Sequence, residues 1–146
     1  MYINKIAILI KIASLEFEKI SNPILAEYDL TAAQYRVLKF LYSQQTGSSR
    51  VVDIEKRCSI THPTALGLLD NLEKKGFVSK VVNPKDARSK VISLTQRAKE
   101  MQQELDGVGE RIEDILTSNL SYDEKQQLVK LLHKLLNMES EVGHNG

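Results

Sequence analysis

A mainly α-helical fold with one small β-hairpin, a winged helix-turn-helix flanked by N- and C-terminal dimerisation helices, is predicted by three observations. Thr61 to Gly76 reads as an amphipathic helix marked at both ends. Val51 to Cys58 is a short helical segment separated from it only by Ser59 and Ile60, the spacing of a helix-turn-helix. Two runs rich in β-branched residues, Phe77 to Val82 and Lys90 to Leu94, follow directly and flank the polar turn Asn83 to Ser89.

The chain opens with Ile3, Ile6, Ala7, Ile10, Ala13 and Phe17 at spacings of three and four, widened by Leu9, Ile12 and Leu15. A helix so apolar around its circumference needs covering on two sides, which points to a partner subunit. Ser21-Asn22-Pro23 is expected to end it, with Ile24 to Tyr28 adding another turn. Thr31 then starts a second helix as N-cap, Gln34 three residues later closes a capping box, and Leu30 with Tyr35 supplies a hydrophobic staple. Val37, Leu38, Leu41 and Tyr42 form its core face, and Thr46 to Ser49 ends it.

In the helix from Thr61, the threonine is the N-cap, Pro63 sits in the first turn where a missing N–H costs nothing, and Gly76 supplies a left-handed stop. Ala65, Leu68, Leu69 and Leu72 make its packing stripe; Thr64, Gly67, Asn71 and Lys74 lie opposite, free to read a partner. After the hairpin, Thr95 caps a helix in which Ala98, Met101, Leu105, Val108, Ile112 and Ile115 alternate spacings of three and four, a heptad seam. Gly107 and Gly109 within it either permit close packing or mark a bend. Ser121 and Glu124 make a second capping box, and Leu128, Leu131, Leu132, Leu135 and Leu136 form a last stripe before a frayed tail from Glu139.

At 146 residues the chain is long enough for one domain with a real core, and its single cysteine excludes a disulfide framework and suggests a cytoplasmic protein. No stretch is long enough to span a bilayer, and Lys5 and Lys11 interrupt the apolar N-terminus where a signal peptide would need continuity. The net charge of +1 conceals a polarity: residues 50–90 carry nine Lys/Arg against five Asp/Glu, and residues 95–146 carry six against ten. A basic middle suits phosphate.

Leu72-Glu73-Lys74-Lys75-Gly76, Asp86-Ala87-Arg88, Leu94-Thr95 and the earlier Leu30, Thr31, Gln34, Val37 and Leu38 occur in the order found in the MarR family of transcriptional regulators, which the chain resembles over nearly its whole length. The resemblance implies one MarR-like domain, with a DNA-binding lobe at about 30–94 and dimerisation helices at about 1–28 and 95–140. It implies a homodimer that binds double-stranded DNA at a pseudo-palindromic operator, acting as a repressor relieved by a small, often aromatic, effector. Expected DNA contacts are His62, Pro63, Thr64, Leu66, Gly67, Asn71 and Lys74 on the helix and Lys85, Arg88 and Lys90 on the wing. First-turn residues meet base edges and the helix dipole meets phosphate, while a wing arginine suits a narrow minor groove. Where the family often has Thr and Arg, this chain has Leu66, able to touch a thymine methyl, and Gly67, which allows close backbone approach. Expected dimer contacts are Ile3, Ile6, Ile10, Met101, Leu105, Val108, Ile112, Leu128, Leu131, Leu132 and Leu135.

His62, His133 and His144 lack the clustering a metal site requires, and neither a nucleophile motif nor a phosphate-cradling glycine loop is present, so no enzyme, metal or cofactor is expected. Tyr28, Tyr35, Arg36 and Tyr42 are candidate effector linings, though core is the first reading for the tyrosines. Two alternatives remain: a winged-helix module that binds protein rather than DNA, and a redox-responsive regulator using Cys58, which is more commonly a buried structural thiol in that position.

Overall fold

The computed structural model describes residues 3–83 and 85–138, with the side chains of Asn83, Ala87, Arg88 and Ser89 left out. The order is α1 (Ile6–Leu25), a 3-10 turn (Ala26–Tyr28), α2 (Ala32–Ser43), β1 (Ser48–Arg50), α3 (Val51–Cys58), α4 (His62–Lys74), β2 (Val78–Asn83), β3 (Asp86–Leu94), α5 (Gln96–Leu116) and α6 (Tyr122–Leu135). The strands form one antiparallel sheet in the order β1-β3-β2. Two compact units result, the first ending at Ile112 and the second beginning at Glu113. The first therefore takes in α1 and most of α5 together with the winged helix.

Helix α1 runs through Pro23 instead of stopping at Ser21. A proline deprives the carbonyl four residues back of its partner, but here that carbonyl belongs to exposed Lys19, where water can serve it. Fully buried Ser21 and Leu25 hold the last turn against the core, and the Asn22 amide oxygen accepts from the Ala32 N–H at 2.8 Å. The α2 start is as its sequence predicts. Thr31 Oγ1 accepts from the Gln34 N–H at 3.2 Å, and Gln34 Oε1 accepts from the Thr31 N–H at 3.1 Å.

Strand β1 has no signal of its own in Ser48-Ser49-Arg50. It exists because β3 offers an unpaired edge, where Ser48, Ser49 and Arg50 pair with Ser93, Ile92 and Val91. The hairpin is also longer than its polarity suggests. Pairing extends past Val82↔Lys90 to Asn83↔Asp86, with an irregularity at Val82/Asn83, so residues 86–89 are strand and not turn. The backbone ladder continues there regardless of side-chain polarity.

Both helices of the helix-turn-helix end in a Schellman arrangement. After α3, Ser59 adopts φ +53° and the Ile60 N–H reaches the Glu55 carbonyl at 3.0 Å; after α4, Gly76 adopts φ +83° and the Phe77 N–H reaches the Leu72 carbonyl at 2.9 Å. The core joins Leu25, Val37, Leu38 and Leu41 to Ile54, Leu69, Leu72, Phe77 and Ile92, and to Ala98, Leu105, Val108 and Ile112 of α5.

That last set corrects the expected dimer contacts. Leu105, Val108 and Ile112 are buried in their own chain and Met101 is half-buried against the same core, while Ile115 at the end of the seam is exposed. An apolar repeat records that a stripe is covered without recording by what. Ile3, Ile6 and Ile10 are exposed, as are Leu128, Leu131 and Leu135 in the second unit, with Leu132 half-exposed.

The glycines of α5 separate cleanly. A Cβ on Gly109 would sit 2.2 Å from Tyr35 Oη, whereas one on Gly107 would meet nothing within 4 Å. Gly109 thus permits close approach. The tyrosines turn out to be core and clamp: Tyr35 donates to the Leu105 carbonyl at 3.4 Å, Tyr42 to the Ala98 carbonyl at 2.5 Å and Tyr28 to Glu104 at 3.1 Å. Burial pushes the Tyr42 phenol up to about 12, so it remains a donor at any physiological pH.

Candidate nucleic-acid interface

Helix α4 divides as its periodicity predicts. Ala65, Leu69 and Leu72 are fully buried and Leu68 partly so, while His62, Pro63, Thr64, Leu66, Gly67, Asn71 and Lys74 are all exposed. Thr61 Oγ1 caps the helix by accepting from the Thr64 N–H at 3.4 Å, and donates its own hydrogen to Thr64 Oγ1 at 3.0 Å. The Thr64 hydroxyl hydrogen is therefore available to a base acceptor.

The first turn of α4 does not stand alone. A groove of about 590 Å³ runs between α3, α4 and the wing, lined by Arg50, Val51, Val52, Glu55, His62, Leu66, Asp86 and Lys90. It brings together two expected helix contacts, His62 and Leu66, and one expected wing contact, Lys90. Lys85 is exposed at the wing; the Arg88 side chain lies outside the described residues, although its backbone belongs to β3. Inside the groove His62 Nδ1 lies 2.9 Å from Glu55 Oε2, a pairing that sequence spacing could not find because it crosses the turn between two helices.

The basic middle is partly spent internally. Lys80 on β2 bonds Asp70 and approaches Glu73 at 3.7 Å, so the charge of the two acids on α4 is partly offset by a strand behind them. The hydrogen bond from Lys80 holds the Asp70 carboxyl below the usual carboxylate range, and the same bond pushes Lys80 up. Lys75 donates to the Asp29 carbonyl at 2.6 Å and to Gln34 at 2.9 Å, and Arg50 pairs with Asp53 at 3.1 Å. Lys74 and Lys90 stay exposed on the α4 and wing surfaces.

Three contacts from α2 and α5 fix the helix-turn-helix in place. Arg36 Nη2 donates to the Cys58 carbonyl at 2.5 Å, satisfying the end of α3. Thr95 Oγ1 donates to the Gly76 carbonyl at 2.6 Å while capping α5. Arg97 bonds the Lys75 carbonyl and stacks 4.6 Å from the Phe77 ring centroid. The C-terminus of α4 and the start of α5 are thus one joint. Cys58 is buried, and burial pushes its thiol up while the neighbouring Arg36 pulls the other way.

Comparison with known proteins places this geometry. A family model described as MarR family matches residues 28–89. The multiple antibiotic resistance protein MarR of Escherichia coli is 30% identical over 129 residues, covering 88% of each chain. The chain belongs to the MarR family. Its relatives are transcriptional regulators and not enzymes, among them the HTH-type transcriptional repressor YetL of Bacillus subtilis, 30% identical over 125 residues that span 82% of this chain and 74% of that one. Among solved structures of this family, that of a mutant E. coli MarR complexed with operator DNA superposes with a TM-score of 0.78 at 30% identity, covering 89% of this chain and 92% of that one. The structure of Bordetella bronchiseptica BpsR, described with a mechanism for regulation of DNA binding by 6-hydroxynicotinic acid, superposes with a TM-score of 0.80 at 25% identity, covering 92% and 96%. No helix among the described residues is long and apolar enough to cross a membrane.

Proposed function

We propose that this protein is a sequence-specific DNA-binding repressor acting as a homodimer on a pseudo-palindromic operator, with His62, Pro63, Thr64, Leu66, Gly67, Asn71 and Lys74 in the major groove and Lys85, Arg88 and Lys90 at the wing. The observation that carries this reading is the undivided exposure of the outward face of α4 beside a basic wing, on a chain of the MarR family. Family relatives bound to operator DNA support it. Two such helices related by a dyad meet successive major grooves about 10 base pairs apart. The dimer contacts are apolar side chains left exposed, Ile3, Ile6 and Ile10 in the first unit and Leu128, Leu131 and Leu135 in the second.

The effector is a small aromatic acid. BpsR's regulation by 6-hydroxynicotinic acid supports this class. In this chain a groove of about 390 Å³ between α1 and α2 is lined by Ser14, Phe17, Glu18, Ala32, Ala33 and Arg36, an apolar wall with an acid and a base at its rim.

Selection of binding sites from random DNA, followed by a salt titration on the selected site, tests the reading. Two half-sites in inverted orientation and a steep loss of affinity with salt are expected. An unselective pool with salt-independent capture of protein would instead identify a protein-interaction module.

A further inference from the structure

We propose that Glu55 sets the base preference of His62, at the start of α4, by fixing which imidazole nitrogen carries the hydrogen. The proposal rests on the DNA-binding reading above and adds a residue from α3 to the specificity of α4.

His62 Nδ1 stands 2.9 Å from Glu55 Oε2, and the imidazole side chain is 59% exposed where the carboxylate is only 21% exposed. An ionised carboxylate can only accept, so the shared hydrogen is on Nδ1. A neutral imidazole so held has a lone pair on Nε2 and no donor there. In the major groove it can then accept only from adenine N6 or cytosine N4, the two exocyclic amines; guanine presents N7 and O6, both acceptors, and repels it. The opposite tautomer, which the bond to Glu55 excludes, would place the hydrogen on Nε2 and donate to acceptors such as guanine N7 or O6 and adenine N7.

The groups facing this ring are Glu55 from α3, Arg50 before it, and Asp86 and Lys90 from the wing, all on the same groove. Arg50 is held by Asp53 at 3.1 Å. Glu55 also puts a negative charge beside the surface offered to phosphate. That charge lowers general DNA affinity, which is the opposite of what an unselective electrostatic surface would require.

The test measures affinities of the full-length wild type, Glu55→Gln and His62→Ala for the selected operator, for operators substituted at every base pair of a half-site, and for random DNA. One symmetry-related position should prefer adenine or cytosine over guanine by about five- to tenfold. His62→Ala should abolish the preference. Glu55→Gln, which lets either tautomer form, should flatten that one position while tightening binding to random DNA several-fold.

Glu55→Gln scaling every sequence by one factor would overturn the proposal, leaving Glu55 as mere repulsion. His62→Ala weakening all sequences equally would also overturn it, making His62 a phosphate ligand. A wild type that binds all DNA alike would remove the DNA-binding reading and this inference together, whereas failure of the inference alone leaves a selective wild type.

Discussion

Helices α1 and α4 are both amphipathic, yet they end in opposite situations. Helix α4 sinks Ala65, Leu69 and Leu72 completely into its own chain and exposes a polar face; α1 leaves every residue from Ile3 to Glu16 exposed, including Ile6, Ile8, Leu9, Ile10, Ile12 and Leu15. One helix is finished by its own chain and the other is not. Contiguous apolar surface of this kind marks an interaction site, so the difference separates a helix completed by its own chain from one that leaves a face for a partner. In the second unit α6 resembles α1 in this respect, with no buried residue of its own and Leu128, Leu131 and Leu135 exposed.

Charge on the unfinished helix gives the largest expected effect. Ile10→Glu should produce monomers at concentrations where the wild type sediments as a dimer, with helical circular dichroism retained. Operator affinity should fall about 10²–10⁴-fold, because bivalent binding is lost. A wild type already monomeric at micromolar concentration would end the comparison. On the finished side, Leu69→Ala should cost about 2–5 kcal/mol of folding stability in urea and leave the oligomeric state unchanged. Leu105→Ala should behave like Leu69→Ala and not like Ile10→Glu, since Leu105 is core.

On the reading face, Thr64→Ala should relax preference at particular operator positions by about 1–3 kcal/mol, measured on point-substituted sites. Arg88→Ala should instead weaken all sequences similarly and flatten the salt slope, as a minor-groove contact does. Equal scaling of every site by Thr64→Ala would remove it from the base-reading set.

A smaller effect divides the two glycines of α5. Gly107→Ala, with open space around it, should stabilise by about 0.5–1 kcal/mol through helix propensity. Gly109→Ala should gain less or destabilise, because its methyl displaces the Tyr35 hydroxyl, and adding Tyr35→Phe should recover part of the difference. Equal urea midpoints for the two alanine variants would contradict the close approach. Smallest is the Cys58 effect. With its pKa raised in the folded state, the stabilising contribution of the neutral thiol is present below its ordinary pKa and declines as pH rises through the folded value. Alkylation of the native protein at mildly alkaline pH should be slow and should track unfolding; rapid labelling would show an accessible thiolate.

The local sequence by itself determined the elements that local chemistry can close. Thr31 with Gln34, Ser121 with Glu124, Thr61, Thr95 and Gly76 each satisfy backbone groups within a few residues, so their roles were legible before any fold was known. The outward face of α4 was legible for the same reason, since 3.6-residue periodicity assigns sides without reference to neighbours. Tertiary structure alone decided what covers each apolar stripe. Periodicity reads α1 and α5 alike as amphipathic, but only packing buries Leu105, Val108 and Ile112 at home and leaves Ile6 and Ile10 outside. It likewise made a strand of Ser48-Ser49-Arg50, carried α1 past Pro23, assigned Lys80 to Asp70, and set Glu55 against His62. Each of these depends on a partner distant along the helix, across a turn or on another element, and side-chain spacing within one element carries no information about such a partner.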